Sequence, residues 1–306
     1  MRDLPPVFGR GDLGDLGLTP HHLTDLLRRG DVVQPVRGVY VPSGRADDPL
    51  VRATAVGRVL PPGAAIARET AAWVHGVDCR APGRLAEPLP VHAVVATGRE
   101  PPSRPGVHGH VDRLPPGDVT EVAGVPVTTP ERTLLDVARF LPEFMGLAAA
   151  DALAHRFGLD PQLLLPRLTH EWRGQRFVLR ARRVLDLCEP RTESFGESWT
   201  RLRMIDAGFP RPEVQIWIET VDGVLVYRID MGWRDKRVGI EYDGEEHHSS
   251  PADRAHDEAR RKELERDFDW LVVGVDRGDV LGRSLRLERG VGELLGLEPQ
   301  IRRRRW

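Results

Sequence analysis

The sequence predicts an α/β protein, with a short helix and β-like pieces near its N-terminus and a helix followed by strands towards its C-terminus. Three observations support this class. The 306 residues are 40 % hydrophobic and 29 % charged, as in globular proteins. A capped helix followed by two short β-rich runs lies between residues 18 and 44. After residue 194, another capped helix precedes strand-like segments in which apolar and polar residues alternate.

The composition excludes several classes of protein. No apolar run reaches the roughly 18 residues of a membrane span, and the acidic, Gly/Pro-broken N-terminus lacks a secretory signal core. We therefore expect a cytoplasmic protein with no membrane partner. Cys79 and Cys188 are far apart, so neither a disulfide framework nor a zinc ribbon is expected. The net charge of −2 does not point to nucleic acid, although such a partner need meet only one basic face.

The first predicted domain comprises residues 1–50. Thr19 is placed to cap a helix that has Pro20 at its first position and ends at Gly30. Two β-like pieces follow, joined through Arg37. This order is typical of the end of a winged helix, and a generic helix and hairpin packed on the next domain is an equal alternative.

Two segments carry a resemblance to a known family. The segment "LRRGDVVQPVRGVYVP" resembles the N-terminal winged helix of AbiEi-type antitoxins of abortive-infection systems, and "GVPVTTPERTLLDVARFL" is similar to the region that follows it there. The resemblance spans about residues 10–157. It implies a winged-helix-like DNA-binding module over 1–50 and an AbiEi-like α+β domain over 51–157. It also implies that one helix faces DNA, with Arg37 near the wing; the residues concerned are His21, His22, Thr24, Asp25, Arg28 and Arg29.

The middle domain contains three histidines on predicted strands. We expect a helix over residues 65–78 and strands over 90–98 and 107–114. His92, His108 and His110 can be drawn as a metal cluster, but a solvated or hydrogen-bonded pair is favoured because no third ligand has a recognisable spacing. A helical bridge over 158–190 then leads to the last domain, 191–306.

The last domain places acids where like charges oppose each other. Ser194 and Glu197 form a Ser-x-x-Glu capping box, so capping is the simplest role of Glu197. Alternation on the two following strands sets Asp230 opposite Glu241 and Arg228 opposite Asp243 on a polar face. Opposed like charges destabilise a sheet. A hard cation such as Mg²⁺ or Mn²⁺ reverses that effect, so Asp230 and Glu241 are predicted metal ligands. An exposed acidic face partly neutralised by Arg228 is the structural alternative.

These acids also resemble the motif of the PD-(D/E)XK restriction-endonuclease fold, closest to its very-short-patch-repair (Vsr-like) branch. The resemblance covers about residues 193–281 and implies a mixed central sheet flanked by helices. Glu197 matches the first-helix acid, and Asp230 and Glu241 match the metal-binding acids. Asp243 falls where that family has its lysine, which weakens the case for catalysis.

Several residues are predicted substitutes for the missing lysine. His247 and His248 follow the motif directly and are candidate general acids or bases, with a solvated loop pair as an equal alternative. Basic residues on the next predicted helix could clamp a phosphate, although a solvated role is usual for each one. They are Arg254, Arg260, Arg261 and Lys262.

The sequence therefore favours a metal-dependent DNA endonuclease that hydrolyses phosphodiesters in phage defence or DNA repair. The alternative is an AbiEi-like DNA-binding regulator or antitoxin with an inactive nuclease fold. A metal-dependent enzyme acting on a small phosphoester is a weaker third hypothesis, because it leaves the N-terminal module unexplained. DNA is the expected partner, and the sequence leaves open a toxin partner or a homodimer.

Overall fold

The computed structural model describes residues 4–80, 84, 87–244 and 251–300, with the side chains of 251–258 excepted. The chain forms two compact units, Met1–Phe140 and Leu141–Trp306. The predicted boundaries at 157 and 190 both fall inside the second unit. Each unit is described by itself.

The first unit contains helices and two sheets. Its helices are α1 Pro20–Arg29, α2 Pro49–Gly57, α3 Arg68–Val74 and α4 Pro130–Phe140. Its strands are β1 Phe8–Gly9, β2 Val32–Val36, β3 Val39–Pro42, β4 Ala65–Ile66, β5 Val91–Ala96, β6 Val107–Asp112, β7 Val119–Val122 and β8 Val125–Thr128. Short 3₁₀ turns cover Arg10–Asp12, Ser43–Arg45 and Pro116–Asp118.

The N-terminal part of this unit is a helix packed on a small sheet. The Thr19 side chain accepts a hydrogen bond from the backbone N–H of His22, and Gly30 ends α1 with φ 74°, as predicted. Strands β2 and β3 form the expected hairpin, and β1 pairs with β3 in the order β1-β3-β2. Leu23 of α1 packs against Phe8, Val32 and Tyr40, which fixes one face of the helix and leaves the opposite face to solvent.

The rest of the first unit is a five-stranded mixed sheet, ordered β6-β5-β4-β8-β7. The helix expected over 65–78 starts only at Arg68, because Ala65 and Ile66 pair with β5 and β8 as strand β4. Arg132 of α4 is 1 % exposed and binds three carboxylates. These carboxylates belong to Asp112, Asp118 and Asp136. This ionic cluster ties α4 to the ends of β6 and β7 and was not predicted from the sequence.

The second unit begins with a group of helices and ends with a four-stranded sheet. Its helices are α5 Glu143–Phe157, α6 Pro161–Pro166, α7 Val178–Leu187, α8 Phe195–Asp206, α9 Pro251–Phe268, α10 Arg277–Leu281 and α11 Arg286–Leu295, with a π-helical turn over Arg167–Glu171. Its strands are β9 Glu213–Glu219, β10 Leu225–Trp233, β11 Val238–Tyr242 and β12 Leu271–Val275.

A buried ionic contact joins α5 to α8. Asp151 of α5 is 1 % exposed and accepts hydrogen bonds from the Ser198 hydroxyl and from Nη2 of Arg201, each at 2.7 Å. It also accepts from the backbone N–H of Glu189 at 2.8 Å. Asp151 belongs to the predicted middle domain and Glu189 to the predicted bridge, so Asp151 bonds the predicted middle domain both to the bridge and to the helix that opens the predicted last domain.

The sheet of the second unit has the order β12-β11-β10-β9. Strands β9, β10 and β11 pair antiparallel, and β11 pairs parallel with β12. Trp233 lies opposite Val238, which confirms the predicted register of the β10–β11 hairpin. In chain order the elements are α8, β9, β10, β11, α9 and β12, so α9 is the crossover that a parallel pair requires.

Candidate functional site

Glu197 lies in the first turn of α8 and has two partners. Its backbone N–H donates to the Ser194 hydroxyl at 3.1 Å, and its Oε2 accepts from the backbone N–H of Glu193 at 3.2 Å. The capping role is thus present. Oε2 also accepts from the Gln215 side chain at 2.9 Å, which connects α8 to β9. Burial, and then the nearby negative charge of Asp230, raise the pKa of Glu197 to about 7.

Asp230 lies on β10 where the β10–β11 pairing ends. The paired residues run from Trp233 to Met231, and the Asp230 carboxylate then accepts from the backbone N–H of Tyr242 at 2.8 Å. Burial raises the pKa of Asp230, opposed by that hydrogen bond and by the charges of nearby arginines. On the other side of β10, pairing with β9 is interrupted at Gln215, which has φ 53°. Such a left-handed backbone is strained for a residue with a side chain, and strain of this kind gathers at functional sites.

Glu241 and Asp243 are neutralised by α9. Nη2 of Arg260 lies 2.6 Å from Oε1 of Glu241, and Nη2 of Arg261 lies 2.8 Å from a carboxylate oxygen of Asp243. Burial raises the pKa of Glu241, with Arg260 opposing the change. Arg228, expected beside Asp243, instead makes two 2.8 Å hydrogen bonds to Glu193. The Arg228 side chain is long enough to reach Glu193, which precedes α8.

The acids do not form the exposed face considered as the structural alternative. Glu241 is 7 % exposed, and Asp230 and Asp243 are half-buried. Among the described residues, no group of three or more His, Cys, Asp or Glu side chains is arranged to hold a metal ion. Mg²⁺ needs only one or two carboxylates because it keeps several waters. Asp230 and Glu241 satisfy that minimum, but each has one carboxylate oxygen engaged by a protein donor.

The remaining residues predicted for this site fall in different places. His247 and His248 lie outside the described residues, and so does the side chain of Arg254. Arg261 contacts Asp243, as described above. Lys262 is exposed and lines a cavity of about 220 Å³ with residues that include Leu271 and Leu294.

The sequence did not single out Gln215 or Glu193. The alternation of residues along β9 could have predicted that Gln215 lies on the same face of the sheet as Asp230, because the alternate residues Val214, Ile216 and Ile218 are all buried on the other face. Its backbone strain leaves no mark in the sequence. Glu193 was hidden by its position in the loop that precedes α8.

In the first unit, the predicted DNA-facing residues share one solvent-exposed surface of α1. His21, His22, Thr24, Arg28 and Arg29 are exposed, whereas Asp25 is half-buried and pairs with Arg28 at 2.5 Å. Arg37 is exposed in the β2–β3 turn. Arg29 and Arg37 form no ion pair with any residue that the structure describes.

The three histidines of the middle sheet form the hydrogen-bonded arrangement favoured from the sequence. Nδ1 of His92 lies 2.9 Å from Nε2 of His110, and the His92 and His108 rings stack with centroids 5.0 Å apart. Burial, and then the nearby charge of Arg68, lower the pKa of His92 and of His110 to about 4. Both are neutral near pH 7, and neither belongs to a metal-binding group among the described residues.

Comparisons with known proteins agree with one part of the predicted resemblance. Residues 64–187 match the AbiEi antitoxin C-terminal domain. Among the described residues, no helix combines the length and apolar character needed to cross a bilayer.

The chain is also similar to two curated proteins of Mycobacterium tuberculosis, the uncharacterized proteins MT2308 and Rv2248. Each is 30 % identical to it over 270 residues, covering 88 % of this chain and 94 % of the relative. The chain therefore belongs to the same family as these mycobacterial proteins. A crystal structure of the RV2827C protein from the same organism aligns with a TM-score of 0.30 and 22 % identity, over 60 % of this chain and 73 % of that one.

Proposed function

We propose that the protein is a DNA-binding regulator of the antitoxin type. The observation that carries the proposal is the AbiEi antitoxin C-terminal domain matched at residues 64–187, preceded in the chain by a helix and hairpin with exposed arginines. The same match supports a toxin as a protein partner. The exposed arginines of α1 and of the β2–β3 turn support DNA as the ligand of this module.

The geometry of α1 suits contact with a phosphate backbone. Arginine is the residue of choice for phosphate recognition because its planar group donates several hydrogen bonds. Among the described residues, no carboxylate pairs with Arg29 or Arg37, so both are available to a phosphate. Arg28 pairs with Asp25, and this contact must break or be shared before Arg28 can bind a phosphate. We therefore expect Arg29 and Arg37 to contribute most, as contacts that position the protein without selecting a sequence.

The test is the salt dependence of duplex DNA binding, measured by fluorescence anisotropy. Arg29→Ala and Arg37→Ala should each weaken binding to all sequences and reduce the slope of log K against log salt by about 1. Arg104→Ala, which removes an exposed arginine elsewhere in the unit, is the matched control and should leave the slope unchanged. Unchanged slopes in both test variants would exclude α1 and the β2–β3 turn as the DNA contact.

A second candidate function is a metal-dependent endonuclease in the second unit. The favouring observation is the order α8, β9, β10, β11, α9, β12 with three raised-pKa acids on α8, β10 and β11. Asp230 and Glu241 would hold Mg²⁺ or Mn²⁺, which when bound would polarise a phosphoryl oxygen and lower the pKa of a water. Arg260 argues against it, because its guanidinium already occupies one oxygen of Glu241.

Cleavage assays separate the two candidates. Single-stranded, duplex, mismatched and branched DNA would be incubated with Mg²⁺ or Mn²⁺ and wild type, Asp230→Ala, Glu241→Ala or the exposed control Glu219→Ala. Metal-dependent cutting that only the first two variants abolish would support the endonuclease. Binding without cutting on every substrate would leave the regulator as the function.

A further inference from the structure

The second unit contains a cavity beside the buried acids that neither candidate function uses. Its volume is about 680 Å³, within the range of small-molecule pockets. The ends of α5 and α7, the start of α6 and strands β9 and β10 contribute to its wall. Gln215, Trp217 and Arg228 line it from the sheet side. Two of these residues adjoin the acidic site, since Gln215 binds Glu197 and Arg228 lies two residues before Asp230.

An aromatic ring lies in the wall of this cavity. Trp217 is 44 % exposed, although its neighbours on the strand, Ile216 and Ile218, are buried. The guanidinium carbon of Arg228 lies 5.9 Å from the centre of the indole ring. An exposed indole beside an arginine is a surface on which a flat heteroaromatic ring can stack.

Gln215, which lines the cavity, also has an unused acceptor. Nε2 of Gln215 donates to Glu197, while Oε1 is buried and has no hydrogen-bond partner among the described residues. A buried acceptor without a partner is unfavourable, so a ligand that brings an N–H group there gains a hydrogen bond. The hydrogen bond from Nε2 to Glu197, at 2.9 Å, holds this amide in place.

The charges of the wall favour an uncharged ligand over a free phosphate. Arg191 and Arg228 are balanced by two acids of the wall, Asp160 and Glu193. Both arginines are engaged, Arg228 with Glu193 and Arg191 with Glu189. A flat, uncharged ring with an N–H donor has the chemistry of a nucleobase.

We propose that this cavity binds the base of an unpaired nucleotide in DNA, with Trp217 as the stacking surface and Oε1 of Gln215 as the acceptor for a base N–H group. The inference rests on the proposed DNA-binding function and adds a preference for DNA that has a base outside the duplex.

The test compares two DNA probes, a short matched duplex and the same duplex with one unpaired nucleotide. Wild type should bind the second probe more tightly. Trp217→Ala should weaken binding of that probe by about 5- to 150-fold, as the loss of a base–aromatic stack does, and leave the matched duplex unchanged. Trp217→Phe should restore most of the preference. Leu179→Ala, at a leucine that is 74 % exposed on α7, is the control for loss of an exposed apolar side chain.

The outcomes separate this inference from the function on which it rests. A preference that Trp217→Ala removes and Trp217→Phe restores would support the cavity as a base-binding site. Equal binding of both probes by wild type, or a preference that survives Trp217→Ala, would overturn the inference and leave DNA binding intact. A wild-type protein that binds neither probe would overturn both.

Discussion

The pKa of Glu197 gives a quantitative prediction for the acidic site. Its folded-state pKa is about 7, against an ordinary value of 4.5, because burial and the charge of Asp230 disfavour the carboxylate. The folded protein therefore retains a proton that the unfolded chain releases between these values. The contribution of Glu197 to the unfolding free energy is fully present below pH 4.5 and is lost as pH rises through 7. At about 1.4 kcal/mol per pH unit, the difference between these two pKa values lowers the unfolding free energy at pH 8 by about 3 kcal/mol relative to its value below pH 4.5.

Glu197→Gln should remove this pH dependence. The glutamine keeps a side-chain oxygen for the Glu193 N–H group but carries no charge at any pH. Relative to wild type, the variant should therefore gain about 3 kcal/mol of unfolding free energy on going from pH 4.5 to pH 8. Its stability at pH 4.5 should change little, because wild-type Glu197 is then protonated in the folded state.

The assay is urea unfolding at a series of pH values, combined with a carbon-13 NMR titration of the glutamate carboxyl groups. Glu219→Gln, at an exposed glutamate on β9, is the matched control and should show no such gain. A difference between Glu197→Gln and wild type that stays constant from pH 4.5 to pH 8 would refute the reasoning. So would a Glu197 carboxyl that titrates near its ordinary pKa.

Three further predictions concern other charged groups. Arg201→Ala should lower the unfolding free energy by about 3–5 kcal/mol, because it removes the ion-pair partner of buried Asp151. Urea unfolding measures this change, and a decrease of less than about 1 kcal/mol would contradict the prediction. Arg260→Ala should raise the pKa of Glu241 further, because the arginine no longer stabilises the carboxylate. If the site accepts Mg²⁺, the variant should also bind Mg²⁺ more tightly in a calorimetric titration. No heat of Mg²⁺ binding in either wild type or the variant would count against a metal site. The lowered pKa of His92 predicts that the unfolding free energy decreases as pH falls from 6.5 towards 4, because the unfolded chain then binds a proton that the folded protein does not. In acid-unfolding curves, His92→Gln should make this decrease smaller. An equally steep decrease in the variant would contradict the prediction.

Local patterns predicted much of the chain because they depend on neighbouring residues. The Thr19 cap, the Gly30 helix end and the pairing of Trp233 with Val238 follow from hydrogen bonding and alternation within a few residues. Strand β4 was missed because two residues, Ala65 and Ile66, become a strand only through pairing with distant chain.

The site was predicted in part for the same reason. Alternation predicted which acids share the β10–β11 hairpin, but it could not predict their burial or their partners. Arg228 was assigned to Asp243 by register, whereas its long side chain reaches Glu193. Long arginine side chains bind wherever the tertiary structure brings a carboxylate, so strand register alone does not determine their partners.

The two arginines of α9 bear directly on the choice between regulator and nuclease. A site that works through a metal needs carboxylates whose charge the metal offsets, and a guanidinium is a cation that stays charged at every relevant pH. In this chain Arg260 and Arg261 already offset Glu241 and Asp243, and Asp243 stands where the nuclease motif has lysine. The hairpin can therefore keep its acids folded without a metal, which removes the electrostatic argument that first favoured an enzyme. Glu197 and Asp230 form no ion pair with an arginine among the described residues, and burial raises the pKa of Glu197 to about 7, so its titration is the most direct measure of whether this site still needs a cation.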